Sequence, residues 1–148
     1  MNDLDTLYGE VILDHNRRPR HFGTLDDARR GEGHNPVCGD RLTVFVRLRD
    51  GVIADASFQG FGCAIAMATA SLMTDYVIGK TVADAEAMFG RLRRLIAASA
   101  DTPVDDLGPL SALAGIRRFP VRLKCATLPW QALLAAASPD AGPVVSTE

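Results

Sequence analysis

The sequence lacks an excess of positive charge. Its sixteen Lys and Arg residues face eighteen Asp and Glu residues, which gives a formal net charge of −2. Proteins that bind duplex nucleic acid rely on clustered Lys and Arg side chains to displace phosphate counterions. The charge balance therefore argues against nucleic acid as a partner.

The sequence also lacks the pattern that is typical of secreted proteins held together by disulfide bonds. Such proteins normally carry an even set of cysteines and a basic N-terminal signal, but this chain has three cysteines and begins with an acidic stretch at residues 1–5. An uncharged stretch at residues 56–74 approaches the length of a membrane span, yet its Gly and Gln residues favour a strand end, a turn and a helix. We therefore expect a cytoplasmic protein with reduced thiols and no membrane partner.

With 148 residues, the chain has room for one domain. A chain of this size buries roughly 68 to 70% of its unfolded surface, so its core needs no disulfide or metal for support. We expect a single domain at residues 1–138 and a disordered tail at residues 139–148, which is rich in Pro, Gly and polar residues. A metal bound by this chain is therefore expected to serve function.

Hydrophobic periodicity predicts an α+β fold. Alternating residues at 41–49, then Asp50-Gly51, then residues 52–58 indicate an antiparallel hairpin, and one more short strand fits residues 31–35. Helical spacing is found at residues 4–15, 64–78, 82–95 and from Pro120 onward, with a break or kink at Pro129 and a short turn at residues 110–114. These elements predict a small antiparallel sheet of about three strands packed against four to six helices.

The three cysteines fall at junctions between the predicted elements. Cys38 precedes the hairpin, Cys63 begins a helix and Cys125 lies inside the last helix. Because Gly39 lets the chain bend, Cys38 and Asp40 can present a thiolate and a carboxylate to one point. Three sulfurs and one oxygen suffice for a tetrahedral metal site, although no CxxC pair of the zinc-finger type is present. The spacing alone leaves open a metal site or three unrelated buried thiols.

Four stretches carry a resemblance that covers most of the chain, from about Leu4 to Ala136. They are Leu7–Arg20, Gly33–Asp40 (GHNPVCGD), Phe58–Ile65 (FQGFGCAI) and Phe119–Trp130 (FPVRLKCATLPW). Together they resemble the NifU/IscU/SufU family of iron-sulfur cluster assembly proteins. The fold of that family, a small antiparallel sheet packed on helices, agrees with the predicted elements.

Two details are similar to the SufU branch. Lys124 stands where IscU-type scaffolds have a histidine before the third cysteine, and the path from the second to the third cysteine is longer, within about residues 90–115. The resemblance implies that Zn²⁺ is held by four residues and that sulfur is accepted from a SufS-type cysteine desulfurase for use by other SUF proteins. The implied zinc ligands are Cys38, Asp40, Cys63 and Cys125.

Cys38 is our prediction for the sulfur acceptor, because its glycine-flanked loop can swing outward while a helix constrains Cys125. Arg122 and Lys124 can steer an anionic persulfide or lower a thiolate pKa, or they are two solvated charges. Other functions stay open. The same ligands would serve an IscU-like scaffold with transient iron or a transient [2Fe-2S] cluster, or a structural zinc site; a homodimer also stays open.

The three histidines are further candidates for a chemical role. His15, His21 and His34 do not occupy ligand positions of the family pattern, so capping, packing or contact with a partner is the alternative for each. His34 is the strongest of the three, since it lies four residues before Cys38.

Overall fold

The structure, a computed structural model, describes residues 3–104, 106–138 and 144–146. Within that part of the chain, one helix is followed by three strands and then by a run of helices, as the periodicity predicts. The α-helices are α1 (Asp3–Arg17), α2 (Ala64–Val77), α3 (Val82–Ala97) and α4 (Leu123–Ala137). The strands are β1 (Arg29–Asn35), β2 (Asp40–Arg49), β3 (Val52–Phe61) and β4 (Val144–Ser146), and 3₁₀ helices cover Gly108–Arg118 and Pro120–Arg122.

The strands form one sheet in the order β3-β2-β1-β4. β1, β2 and β3 are antiparallel neighbours, so the predicted α+β fold with a three-stranded antiparallel sheet is confirmed. Asp50 and Gly51 connect β2 to β3 with φ values of 54° and 79°, the positive values that a tight hairpin requires. β4 pairs in parallel with β1. It lies within the segment predicted as a disordered tail, of which residues 139–143 and 147–148 lie outside the described residues.

Glycine on the inner face of β1 allows α4 to lie directly on the strand. A Cβ atom at Gly31 would come within 2.2 Å of the Ala132 carbonyl oxygen, and one at Gly33 within 2.8 Å of Leu128 Cδ1. Successive turns of α4 therefore face alternate residues of β1. One step further along both elements, this packing sets Cys125 beside Asn35.

The helix α2 lies at the centre of the molecule. It has almost no polar face, as predicted, and packs against α1, α4 and β3. Thr81 caps the following helix in a capping box with Asp84. In the core, Trp130 is fully buried and its ring is stacked on Phe89 with a centroid distance of 5.9 Å. None of the described helices is both long and apolar enough to cross a membrane.

Two local predictions differ from the structure. Of the break or kink predicted at Pro129, the break is absent because α4 continues through this residue. The last helix begins with a 3₁₀ turn at Pro120 and becomes α-helical at Leu123. The short turn predicted at residues 110–114 is an eleven-residue 3₁₀ helix. In a 3₁₀ helix, residues three apart share a face. Leu110, Leu113 and Ile116 have that spacing and are all buried, which explains the longer element.

On the outer edge of β3, three of the outward-facing backbone N–H groups donate hydrogen bonds to other groups of the protein. The Ile53 N–H donates to Lys80 O at 2.8 Å and the Phe58 N–H to His21 O at 3.1 Å. Between them, the Ala56 N–H donates to the side chain of Asp55 at 3.0 Å. Segments before and after the sheet, together with one strand side chain, thus cover this edge.

Candidate metal centre

The turn between β1 and β2 carries the first two predicted ligands. Residues 36–39 form the turn, Gly39 has a φ of 73°, and Cys38 is half-buried. Asp40 begins β2 and is fully buried, because its side chain points to the sheet face that α2 and α4 cover. The hairpin therefore holds a carboxylate inside the protein and leaves the neighbouring thiol near the surface.

Neutral donors hold both oxygens of the Asp40 carboxylate. The backbone N–H of Cys63 donates to Oδ1 at 2.7 Å, and the Asn35 amide donates to Oδ2 at 3.2 Å. The Oδ1 atom also lies where a side chain at residue 62 would be, since a Cβ at Gly62 would come within 2.8 Å of it. Gly62 is thus required for the close approach of the carboxylate to the start of α2.

Cys63 is the N-cap residue of α2 and is half-buried. Its pKa is lowered to about 6, chiefly by a hydrogen bond from Cys125 and further by the backbone amides of Ala66 and Ile65, while burial and Asp40 act in the opposite direction. The first turn of α2 leaves amide N–H groups free to stabilise an anion. The end of this helix therefore favours a thiolate at Cys63.

Cys125 completes the cluster from α4 and is fully buried. Its sulfur lies 3.2 Å from Cys38 Sγ and is hydrogen-bonded to Cys63 as well. These bonds and its burial raise the pKa of Cys125. One ligand atom from each of Cys38, Asp40 and Cys125 lies within 4.8 Å of the other two. Three of the four predicted ligands thus lie together, and Cys63 joins them through its hydrogen bond with Cys125.

The sequence matches the NifU-like N-terminal domain family over residues 7–138. The chain belongs to this family. The match spans every element that contributes to the cysteine cluster, from the turn between β1 and β2 to α4. The family membership predicted from the four sequence stretches is confirmed.

Individual members of the NifU-like family agree with this assignment. The zinc-dependent sulfurtransferase SufU of Bacillus subtilis (strain 168) is 42% identical over 131 residues, which cover 88% of this chain and 89% of that protein. The iron-sulfur cluster assembly scaffold protein IscU of Streptococcus pyogenes serotype M1 is 38% identical over 133 residues, covering 90% and 84%. A crystal structure of a proposed SUF-system scaffold from Fervidobacterium islandicum AW-1 has a TM-score of 0.80 at 31% identity, covering 90% and 98%.

Arg122 lies beside the cluster of this NifU-like domain. Its guanidinium donates to Cys38 Sγ at 3.7 Å, and its pKa is raised by a hydrogen bond with Cys125 and by the charges of Cys63 and Cys38. Arg122 is therefore close enough to Cys38 for the predicted electrostatic role. Lys124, the second predicted cation, is exposed at the start of α4.

The histidines lie apart from the ligand cluster. His15 is buried and its Nδ1 is 2.7 Å from Ser71 Oγ, while His21 is partly exposed and lies 3.7 Å from Asp75. His34 alternates with Asn35 along β1 and therefore points to the opposite face of the sheet. The packing or contact roles left open for these residues agree with their positions.

The structure adds two residues that the sequence interpretation did not select. Asn35 is buried among the ligands, and the alternation of Gly31, Gly33 and Asn35 on one face of β1 was the available signal. Tyr8 of α1 lies close enough to the cluster for Arg122 and Cys63 to influence its pKa, which burial raises overall. A tyrosine at a helical core position gave no signal of this proximity.

Proposed function

We propose that this protein is a zinc-dependent sulfurtransferase of iron-sulfur cluster assembly, in which Cys38 accepts sulfur from a cysteine desulfurase. The proposal rests above all on the meeting of Cys38, Asp40 and Cys125 within 4.8 Å, with Cys63 hydrogen-bonded to Cys125. The likeness to the zinc-dependent sulfurtransferase SufU supports it. We treat residues 1–138 as the functional unit.

The donor set fits zinc. Three thiols and one carboxylate are the ligand types of tetrahedral Zn²⁺ sites, in which bonds of about 2.0 to 2.3 Å set ligand atoms roughly 3.3 to 3.8 Å apart. A buried carboxylate whose N–H donors, the Asn35 amide and the Cys63 backbone, are both neutral also favours a nearby cation. When bound by Cys38, Asp40, Cys63 and Cys125, zinc keeps thiolates deprotonated without adding redox chemistry of its own.

The transfer step moves one sulfur atom without an external oxidant or reductant. The Cys38 thiolate attacks the terminal sulfur of the persulfide carried by the desulfurase cysteine. A new S–S bond forms on Cys38, the S–S bond on the desulfurase breaks, and the desulfurase cysteine departs as a thiolate. Cys38 then carries the sulfur as a persulfide, ready for delivery to cluster assembly.

Cys38 is better suited to this role than Cys125. Its side chain is half-buried in a turn, whereas Cys125 is fully buried on a helix. The guanidinium of Arg122, 3.7 Å from Cys38 Sγ, can attract the anionic persulfide. Cys63 is half-buried too, so it is the competing acceptor that the experiment below must distinguish.

The surroundings of the site suit a protein partner. Three large apolar side chains near the cysteines are 61 to 66% exposed, although most apolar side chains of the molecule are buried. They are Val37, Phe61 and Val121. We propose a SufS-type cysteine desulfurase as the partner over this surface, with other SUF proteins receiving the sulfur. Free thiols fit a reducing compartment, so we assign the reaction to the cytoplasm.

Purified protein should be assayed for zinc and iron, then mixed with a SufS-type desulfurase and cysteine. We expect about one zinc per chain, faster desulfurase turnover and a trapped persulfide that mass spectrometry maps to Cys38. His34→Ala, on the other sheet face, is the matched control and should behave like the parent. A persulfide found on Cys63 or Cys125 but never on Cys38 would contradict the assignment of the acceptor.

A second function, a scaffold for a transient [2Fe-2S] cluster, is favoured by the likeness to IscU of Streptococcus pyogenes. The same four side chains would hold the cluster. Transfer of an intact cluster to an apo-ferredoxin, without stimulation of the desulfurase, would support the scaffold over the sulfurtransferase. Lys124 in place of the histidine that IscU-type scaffolds carry leads us to prefer the sulfurtransferase.

A further inference from the structure

Asn35 occupies an unusual position for a polar side chain. It is the last residue of β1, is fully buried, and pairs in register with Asp40 of β2. A buried amide needs hydrogen-bond partners, because its burial without them costs free energy. All partners of this amide belong to the metal centre or to the turn that carries Cys38.

The contacts fix which way the amide group faces. The Asn35 Oδ1 atom accepts the Val37 N–H at 3.3 Å. The opposite end, Nδ2, donates to Asp40 Oδ2 at 3.2 Å and to Cys125 Sγ at 3.5 Å. The reverse orientation would set an acceptor oxygen against the Asp40 carboxylate, which only accepts when charged, and the NH₂ group against the Val37 N–H, which only donates. The NH₂ group therefore faces the ligands.

These hydrogen bonds support some of the predicted ligands more than others. Asp40 is held at both oxygens, by Asn35 and by the Cys63 backbone, and Cys125 receives the second Asn35 hydrogen. The contacts of the Cys38 sulfur are of a different kind: the Cys125 thiol at 3.2 Å and the Arg122 guanidinium, a long side chain, at 3.7 Å. A neutral, buried amide thus supports Asp40 and Cys125 in place.

We propose that Asn35 is a positioning residue that fixes Asp40 and Cys125 as permanent ligands, and so leaves Cys38, rather than Cys125, as a sulfur that can leave the metal. The proposal rests on the zinc-binding function above and deepens it. Outer hydrogen bonds of this kind orient metal ligands and raise metal affinity. In this protein they also favour Cys38 over Cys125 as the nucleophile.

The first measurement is zinc affinity, by competition with a chromogenic chelator. Asn35→Ala removes the donor, and Asn35→Asp keeps an acceptor for Val37 while replacing the donor by an oxygen. We expect both to weaken zinc binding about 10 to 100 fold. His34→Ala, adjacent in sequence but on the opposite sheet face, is the control and should retain the parental affinity.

The second measurement is the order in which the cysteines react. Zinc-loaded protein is treated with limiting iodoacetamide, and the labelled cysteines are identified by mass spectrometry. The parent should be labelled first on Cys38. In Asn35→Ala, the ratio of Cys38 to Cys125 labelling should fall by about tenfold, matching the lost support of Cys125.

Zinc affinities within twofold of the parent, with an unchanged labelling order, would overturn the proposal. If Asn35→Ala does not fold, Asn35→Asp decides by the same measurements. Circular dichroism of the metal-free proteins gives a further test. If both Asn35 variants lose their fold while His34→Ala keeps it, the proposal is overturned and Asn35 has a role in folding alone. A parent protein that takes up no zinc would instead refute the proposed function.

Discussion

Asn35, Asp40 and Cys125 are buried and lie on regular strands and a helix, whereas Cys38 and Arg122 lie in a turn and in a 3₁₀ helix and remain partly accessible. We call the first group the inner half of the site and the second the outer half. The inner half is held by packing and by neutral hydrogen bonds. The outer half is held by a charged side chain and by the backbone of a surface turn at residues 36–39.

The difference shows how one site can both retain a metal and exchange a ligand. Side chains on packed elements change position only when the packing changes, while a surface turn can move at little cost. A sulfur acceptor must reach a partner, so it belongs in the outer half. The ligands that keep the metal belong in the inner half.

The largest effect on stability is expected where β1, the strand that carries Asn35 of the inner half, packs against α4. Gly31→Ala would bring a Cβ within 2.2 Å of the Ala132 carbonyl oxygen, a backbone atom that no side-chain rotation can move away. We expect a loss of about 3 kcal/mol in the free energy of unfolding, measured with urea. Gly39→Ala, in the outer half, meets no atom within 4 Å and should cost only about 1 kcal/mol through its φ of 73°. Equal losses would contradict the comparison.

A smaller effect is expected at the carboxylate itself. Gly62→Ala adds a methyl group that would lie 2.8 Å from Asp40 Oδ1 and 3.2 Å from Ala66 Cβ, so the carboxylate must shift. We expect zinc affinity to fall by about tenfold in chelator competition. Gly90→Ala, on α3 and away from the site, should leave the affinity unchanged. A similar loss in both variants would mean that the effect is not local.

Arg122 allows a test of the outer half alone. Arg122→Gln should slow sulfur uptake from the desulfurase on the order of fivefold at low salt, since one steering charge is removed. The deficit should shrink at high salt because screening weakens the contribution of the parent arginine. Zinc content should not change. Arg30→Gln, on the exposed part of β1, is the control; a loss of zinc in Arg122→Gln would assign the arginine to the inner half.

The smallest effect concerns a buried group outside both halves. Burial, and next the charge of Arg20, lower the pKa of His15, so the folded protein holds its imidazole neutral. Stability is then complete above the ordinary pKa near 6.5 and falls as the pH drops toward the lowered value. Urea unfolding of the metal-free protein at pH 7.5 and 5.5 should reveal this loss.

The variant His15→Gln should reduce the pH dependence, while His21→Gln, at a partly exposed position, should retain it. An unchanged dependence in His15→Gln would assign it to other groups. Because zinc is absent, acid-induced release of the metal does not contribute, and the His15→Gln variant separates the effect of His15 from that of Cys63, whose pKa of about 6 lies in the same range.

The sequence was sufficient to predict the three antiparallel strands and to select Cys38, Asp40 and Cys125, which the structure brings together. The alternation at residues 41–49 and the Asp50-Gly51 turn are local signals, and the cysteines lie in motifs that can be recognised without coordinates. The capping box at Thr81 is local as well. Where neighbouring residues determine the structure, the prediction agrees with it.

Asn35 was not predicted, because its role depends on contacts between distant parts of the chain. Its contact with Cys125 joins residues 90 positions apart and requires α4 to lie on the glycines of β1. The continuation of α4 through Pro129 has the same origin, since Leu128 and Trp130 on either side are buried in the core. In both cases tertiary packing overrides a local preference.

The covered edge of β3 bears on how two copies of this protein can associate. An open strand edge is a template on which another chain can extend the sheet, and this leads to aggregation. Here the outward N–H groups of Ile53, Ala56 and Phe58 already have partners. At these three positions a second copy finds no free N–H group to pair with, so the protein is less prone to edge-to-edge aggregation on this side.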